Sequence, residues 1–142
     1  MGDLNLRQIG IDLFERWTAM WNLNLDLAEE IMAPRFTLHY TQAGAEVFDD
    51  LHHPQELAGI IKVWHEKKPG IKFKSEGEAV IDLSLDGGSL TGFVARPYFV
   101  CFVSEQNQLV ARSGTDILKI TDGRISEVWS VSSGANGRTF YR

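Results

Sequence analysis

Cysteine is nearly absent from this chain. Its one cysteine, Cys101, has no partner for an intrachain disulfide, and no CxxC or Cys/His spacing offers a structural zinc site. Proline is scarce, with 4 residues in 142, and no Pro- or Ser-rich stretch marks a linker. No apolar run approaches the roughly 18 residues of a membrane span. The N-terminus, Met1-Gly2-Asp3-Leu4-Asn5-Leu6-Arg7, lacks the basic stretch and apolar run of a secretory signal, and Leu6 stands where a myristoylation signal wants Ser or Thr. Basic residues are outnumbered: 14 Lys and Arg against 19 Asp and Glu give a formal net charge of −5. The one basic cluster, Lys67, Lys68, Lys72 and Lys74, is offset by Glu66, Glu76 and Glu78, a poor footprint for a phosphate backbone. There is no Walker or dinucleotide glycine loop and no GxSxG elbow. The expectation is a soluble cytoplasmic protein without a nucleic-acid or membrane partner, and with no metal or cofactor.

Apolar mass is present instead, arranged in two periods. Hydrophobic residues make up 44%, including 8 Phe, 4 Trp and 3 Tyr, which is a globular composition. The length suits a single domain, residues 1–142, large enough to bury about 70% of its unfolded surface. Leu6, Ile9, Leu13, Trp17, Met20 and Trp21 recur at steps of three and four and predict an amphipathic helix. Asn22-Leu23-Asn24 interrupts it. Asp26 is placed to cap a second helix reaching about Met32, before Pro34. Phe36 to Thr41 suits a short strand. A third helix is predicted from Pro54, whose missing N–H costs nothing in a first turn, to about Lys67, with Leu57, Ile60, Ile61 and Trp64 inward. Pro69-Gly70 ends it.

Beyond Gly70 the period falls to two. One long strand is predicted from Ile71 to Leu85, then a turn at Asp86-Gly87-Gly88-Ser89 and a strand from Leu90 to Val103. Pro97 within that strand demands an edge position or a bulge. A turn at Glu105-Gln106-Asn107-Gln108 leads to a strand from Leu109 to Thr121. Asp122-Gly123 turns it into a last strand, Arg124 to Ser132, followed by a Gly-rich tail. Helices segregated from an antiparallel meander define an α+β fold, and strands this long should twist and curl. Three N-terminal helices across the concave face of a strongly curved, mostly antiparallel sheet would enclose an apolar pocket.

Few residues in this frame carry chemistry. Asp116 shares a strand face with Val110, Leu118 and Ile120. Burial without a cation would raise its pKa and make it a general base or a neutral donor; a partner such as Arg112 would make it structural. Its cross-strand neighbour depends on the Asp122-Gly123 hairpin. A two-residue loop pairs Thr121 with Arg124 and puts Trp129 beside Asp116; a three-residue loop puts Val128 there, and one residue of slip exchanges the faces. Tyr40 or His39, on opposite faces of the first strand, could exchange a proton in a pocket or serve as packing. Trp17, Trp21 and Trp64 are expected as core and pocket wall, with Trp129 a further candidate. Arg96 shares a face with Tyr98, Val100 and Phe102, and a cation there wants a carboxylate, Asp116 or Glu127, or an anionic substrate group. His52-His53 could resemble metal ligands, but no carboxylate at helical spacing completes a site.

The run from Asp116 to Trp129, Asp-Ile-Leu-Lys-Ile-Thr-Asp-Gly-Arg-Ile-Ser-Glu-Val-Trp, resembles the closing hairpin of SnoaL-like proteins. These belong to the nuclear-transport-factor-2-like superfamily, with the ketosteroid isomerases and polyketide cyclases. The first helix ending in Trp-Asn and the Pro-Gly after the third helix are similar too. The resemblance implies a cone-shaped α+β barrel, a homodimer packed through its sheets, and cofactor-independent acid/base chemistry on apolar, often cyclic substrates. It implies for Asp116 the oxyanion-stabilising or acid/base carboxylate. The isomerase base would fall near Tyr40, where no Asp or Glu stands. Arg112-Ser113-Gly114-Thr115 occupies the stretch where many SnoaL-like sequences carry a His, and the Arg-x-Asp arrangement of the epoxide hydrolases is missing. The expectation is an isomerase, cyclase or dehydratase of an apolar substrate, with Asp116, Tyr40 and His39 in the chemistry and Trp17, Trp21, Trp64, Arg96, Tyr98 and Trp129 around the substrate. The alternative is a non-catalytic ligand-binding or dimerisation module of the same fold.

Overall fold

Helix α1, Leu6–Trp21, begins at Asn5, whose side-chain oxygen accepts the Gln8 N–H at 3.0 Å. The computed structural model describes residues 5–134 and 136–141; Met1 to Leu4, where no secretory signal is expected, and Ala135 and Arg142 of the tail lie outside them. The buried face of α1 carries Leu13, Phe14, Trp17, Met20 and Trp21. Gly10 completes it for a steric reason. A Cβ there would lie 2.6 Å from Ile81 Cδ1, so the helix rests directly on the sheet. Past the helix end, the Asn22 side chain exchanges hydrogen bonds with both backbone groups of Phe73, at 2.8 Å each.

Helix α2, Leu27–Ile31, is shorter than expected because Met32 already opens strand β1, Met32–Tyr40. A 3-10 turn at Glu46–Asp50, which no sequence period announces, buries Phe48. Helix α3 runs Pro54–Lys67 as the sequence predicts, with Glu56 Oε1 accepting the N–H groups of His52 and His53.

The single strand expected from Ile71 to Leu85 is two, β2 at Lys72–Ser75 and β3 at Val80–Asp86. Both pair with β4, Ser89–Val103. Ser75 faces Tyr98 and Val80 faces Ala95, so the step from 75 to 80 is set against the shorter step from 98 to 95, and the surplus bows out. Pro97 lies at that break. Its carbonyl accepts the Glu76 N–H at 2.8 Å, and its missing donor points to the gap, where no ladder bond is lost. Pro97 therefore marks an irregularity within an interior strand and not an edge.

Strands β5, Leu109–Thr121, and β6, Arg124–Ser132, follow. The sheet order is β1-β6-β5-β4-β2, with β3 also on β4. It is mixed, since β1 runs parallel to β6. The order does not return to β1, so the expected barrel is a curved sheet left open by its hydrogen bonds and covered by helices.

The last hairpin takes neither expected register. Thr121 pairs with Arg124 across a two-residue loop and Ile120 with Ile125. A bulge at Ser126 then makes Lys119 face Glu127, and Asp116 faces Ser130. Val128 and Ser130 point to the concave side and are buried, while Trp129 is 36% exposed on the outer side.

Candidate functional site

The register aligns four side chains across the concave face. Arg96 of β4 faces Asp116 of β5, Asp116 faces Ser130 of β6, and Ser130 faces Tyr40 of β1. Helix α1 lies over this row and lowers Trp17 onto it. Trp17 Nε1 donates to Asp116 Oδ2 at 3.0 Å, a bond between residues 99 apart in sequence. The other carboxylate oxygen, Oδ1, is buried without a hydrogen-bond partner. Asp116 is 7% exposed. A buried acceptor left unpaired is costly to fold around.

The next row is Tyr98, Gly114 and Ser132. A Cβ at Gly114 would lie 2.5 Å from the Tyr98 hydroxyl oxygen. The missing side chain lets the Tyr98 ring lie across β5, so that its hydroxyl reaches Ser130, which also borders Asp116.

The electrostatics follow from burial. Burial pushes the Asp116 carboxyl up to about 6, and Ser130 and the Trp17 N–H, which favour the carboxylate, hold it from rising further. Burial also lifts the Tyr40 and Tyr98 hydroxyls well above the usual tyrosine range, and the Asp116 charge adds to both. Both phenols stay protonated donors at any ordinary pH.

These groups border a cavity of about 500 Å³, within the range of roughly 300–1,000 Å³ typical of small-molecule sites. Trp21 is the hub of its wall, with ring centroids at 5.4 Å to Phe73, 6.0 Å to Phe48, 6.1 Å to Trp64, 6.2 Å to Trp17 and 6.3 Å to Tyr40. Toward the rim, Val100, Phe102, Val110 and Arg112 continue the lining, and the Lys68 ammonium sits 4.6 Å from the Phe102 ring centroid and 5.3 Å from that of Trp64.

The structure thus brings Asp116, Tyr40, Tyr98, Trp17, Trp21 and Trp64 to one cavity. Three expected site residues stand apart. His39 faces outward, paired with Glu127 at 2.7 Å and stacked on Trp129 at 5.5 Å, because alternation on β1 that puts Tyr40 inside puts His39 outside. Trp129 is outside because Val128 and Ser130, on either side of it in β6, are buried on the concave face. Arg96 neutralises neither expected partner; its ion pair is with Glu15 of α1, at 2.9 Å. Arg112 bonds the carbonyls of Ala111 and Gly134, bracing the tail. His52 and His53 direct their Nδ1 atoms to the carbonyls of Phe36 and Pro34, and among the described residues no group of three His, Cys, Asp or Glu is arranged to hold a metal. No described helix is long and apolar enough to cross a membrane.

The sequence left open whether Glu127 and Trp129 or Val128 and Ser130 face the cavity, and gave no sign of Phe73, Gln42 and Ser132 as lining beyond strand phase. The inward phase of β2 signalled Phe73. Ser130 hung on the hairpin register.

No protein-family model matches the sequence, and no curated protein matches it significantly. Solved structures do match. A candidate polyketide cyclase from Acidithiobacillus ferrooxidans is 13% identical, with 91% of each chain covered and a TM-score of 0.67. A candidate isomerase of the SnoaL-like family from Agrobacterium tumefaciens is 18% identical over 88% of this chain and 97% of its own, with a TM-score of 0.60. A nuclear-transport-factor-2-like protein of unknown function from an Exiguobacterium is 16% identical over 84% of this chain and 97% of its own, with a TM-score of 0.59. Likeness of shape over nearly whole chains, at such low identity, gives the architecture and stops there: this chain has the α+β cone fold of the SnoaL-like and nuclear-transport-factor-2-like proteins.

Proposed function

We propose that the chain is a cofactor-independent isomerase or cyclase that moves a proton on an apolar, ring-bearing substrate held in the cavity. The observation that carries this reading is Asp116: a carboxylate on the cavity wall, buried among aromatic rings, unpaired by any described cation, with one oxygen lacking a hydrogen-bond partner. With its pKa near 6, it is about 90% ionised at pH 7, yet basic enough to take a carbon-bound proton next to a carbonyl. Tyr40 and Tyr98, fixed as neutral donors, are suited to hold the oxygen on which negative charge then develops. The aromatic walls supply the contact surface for a ring system. The cyclase and isomerase descriptions of the structural neighbours favour the same chemistry over a purely binding role.

The test is proton exchange on simple bicyclic ketones, 1-tetralone, 2-tetralone and 2-decalone, followed by proton NMR in D2O. The protein should accelerate loss of the α-proton signal, and the rate should rise with pH through an inflection near 6, as a base requires. Asp116→Asn should lower it at least about a hundredfold. Bound but unexchanged ketone, or equal rates in the variant, would sink the catalytic reading.

The outer face of the sheet suits a second copy of the chain. Phe93, Ile117, Trp129 and Val131 are between 36% and 47% exposed there, with Phe93 and Trp129 rings 6.4 Å apart. An apolar patch of this kind on a sheet marks an association surface, and we read the protein as a homodimer joined through it.

A further inference from the structure

Arg96 and Asp116 are direct partners in the β4–β5 ladder and share the concave face. Opposed side chains on one face have Cβ atoms about 5 Å apart, well inside the reach of an arginine. A buried carboxylate so placed would ordinarily take the guanidinium as its counter-ion.

The guanidinium turns the other way. Its Nη1 donates to Glu15 Oε1 at 2.9 Å, and its Nε donates to the carbonyl oxygens of Glu76 at 3.3 Å and Gly77 at 3.1 Å. Those two carbonyls are available because the sheet opens between β2 and β3. The same Glu15 oxygen, Oε1, also accepts the Ser75 hydroxyl. Arg96 is thus drawn to the edge of the row, while Asp116 is left with the neutral donors Trp17 and Ser130.

We propose that Glu15 is a positioning residue: it holds Arg96 away from Asp116 and so keeps the carboxylate free for the cavity. The consequence for catalysis rests on the proton-transfer reading above; the arrangement itself does not. The other charged or titratable groups facing Asp116 are Tyr98 from β4, Tyr40 from β1, Arg112 from β5 and Lys68 beyond α3, with Trp17 of α1 and Ser130 of β6 polar but not titrating. Arg112 lies four residues along β5, about 13 Å away, and braces the tail. Lys68 is held over the rim rings. Arg96 is the cation whose register gives it direct access.

The test is the titration of the Asp116 carboxyl carbon by NMR, in the full chain labelled with ¹³C-Asp and assigned with Asp116→Asn. Glu15 is half exposed on a helix, so Glu15→Ala removes the holder without opening the core. In Glu15→Ala, the midpoint should fall by one pH unit or more, and ketone exchange should slow tenfold or more. In Glu15→Ala/Arg96→Gln, the midpoint should return to the wild-type value. Glu15→Gln, which keeps the acceptor but not the charge, should lie between wild type and Glu15→Ala. An unchanged midpoint in Glu15→Ala overturns the proposal, as does a lowered midpoint that the double variant fails to restore. A wild-type midpoint in the ordinary aspartate range would instead count against the proton-transfer reading.

Discussion

Asp116 is destabilising where it is useful. Its carboxyl titrates near 4 in an unfolded chain and near 6 in the fold, and burial is the main cause. Below pH 4 both states are neutral and the burial costs nothing. As pH rises through 6 the folded protein must hold a buried charge, and stability falls by about 3 kcal/mol, the equivalent of two pKa units. Asp116→Asn, neutral at every pH and still able to accept the Trp17 N–H, should therefore raise the Tm at pH 8 by roughly 5–10 °C and leave it nearly unchanged at pH 4. Thermal unfolding at the two pH values checks this; equal gains at both would mean that the fold leaves the carboxyl's titration where the unfolded chain has it. Such a residue is visible in sequence because an acid amid apolar strand neighbours breaks the pattern. Glu15 is not visible in that way, since an exposed acid on a helix is ordinary. Its role depends on where Arg96 bends, and only the gap between β2 and β3 decides that.

At the scale of elements, the three helices, the long strands and their turns were legible because periods of 3.6 and 2 change cleanly at Gly70. The break at 76–79 was not, because Ile71, Phe73, Ala79, Ile81 and Leu83 keep the same alternation through it while two residues bow out. The register of the last hairpin was not legible either. Turn chemistry at Asp122-Gly123 allows a loop of two or three residues; the structure has two, and the bulge that follows depends on which side of β6 packs under α1. Ser126 is that extra residue, with its hydroxyl 2.8 Å from that of Thr121. Without it, alternation would still run Ile125 in, Glu127 out, Val128 in. Deleting Ser126 should therefore preserve the pairing of Asp116 with Ser130, at a cost of about 1 kcal/mol for the lost side-chain bonds. Cross-strand nuclear Overhauser contacts between residues 116 and 130 measure this. Contacts from Asp116 to Trp129 in the deletion variant would show that the bulge, and not the packing of Val128 and Ser130, sets the faces.

At the scale of the whole molecule, the two faces of the sheet divide the work. The concave face carries the cavity, and its residues are held by α1 and by the cross-strand rows. The convex face carries Phe93, Ile117, Trp129 and Val131, the exposed apolar residues on which the proposed dimer rests. His39 and Glu127 form a hydrogen-bonded pair beside Trp129, a polar rim of the kind that borders such patches. Strand β6 links the two faces, because the alternation that sends Ser130 inward also sends Trp129 outward. A second copy meeting this face would bury the same residues from both sides, so one substitution acts twice. Trp129→Glu places two like charges in the interface and should convert a particle of twice the 16.0 kDa chain mass into a monomer. Sedimentation equilibrium on both proteins reads this directly. The cavity lies on the other face, so the monomeric variant should still bind 2-tetralone. A wild-type protein that sediments at the mass of one chain would leave the convex face without its partner, and a variant that loses ketone binding along with the dimer would mean that the cavity's shape depends on the second copy.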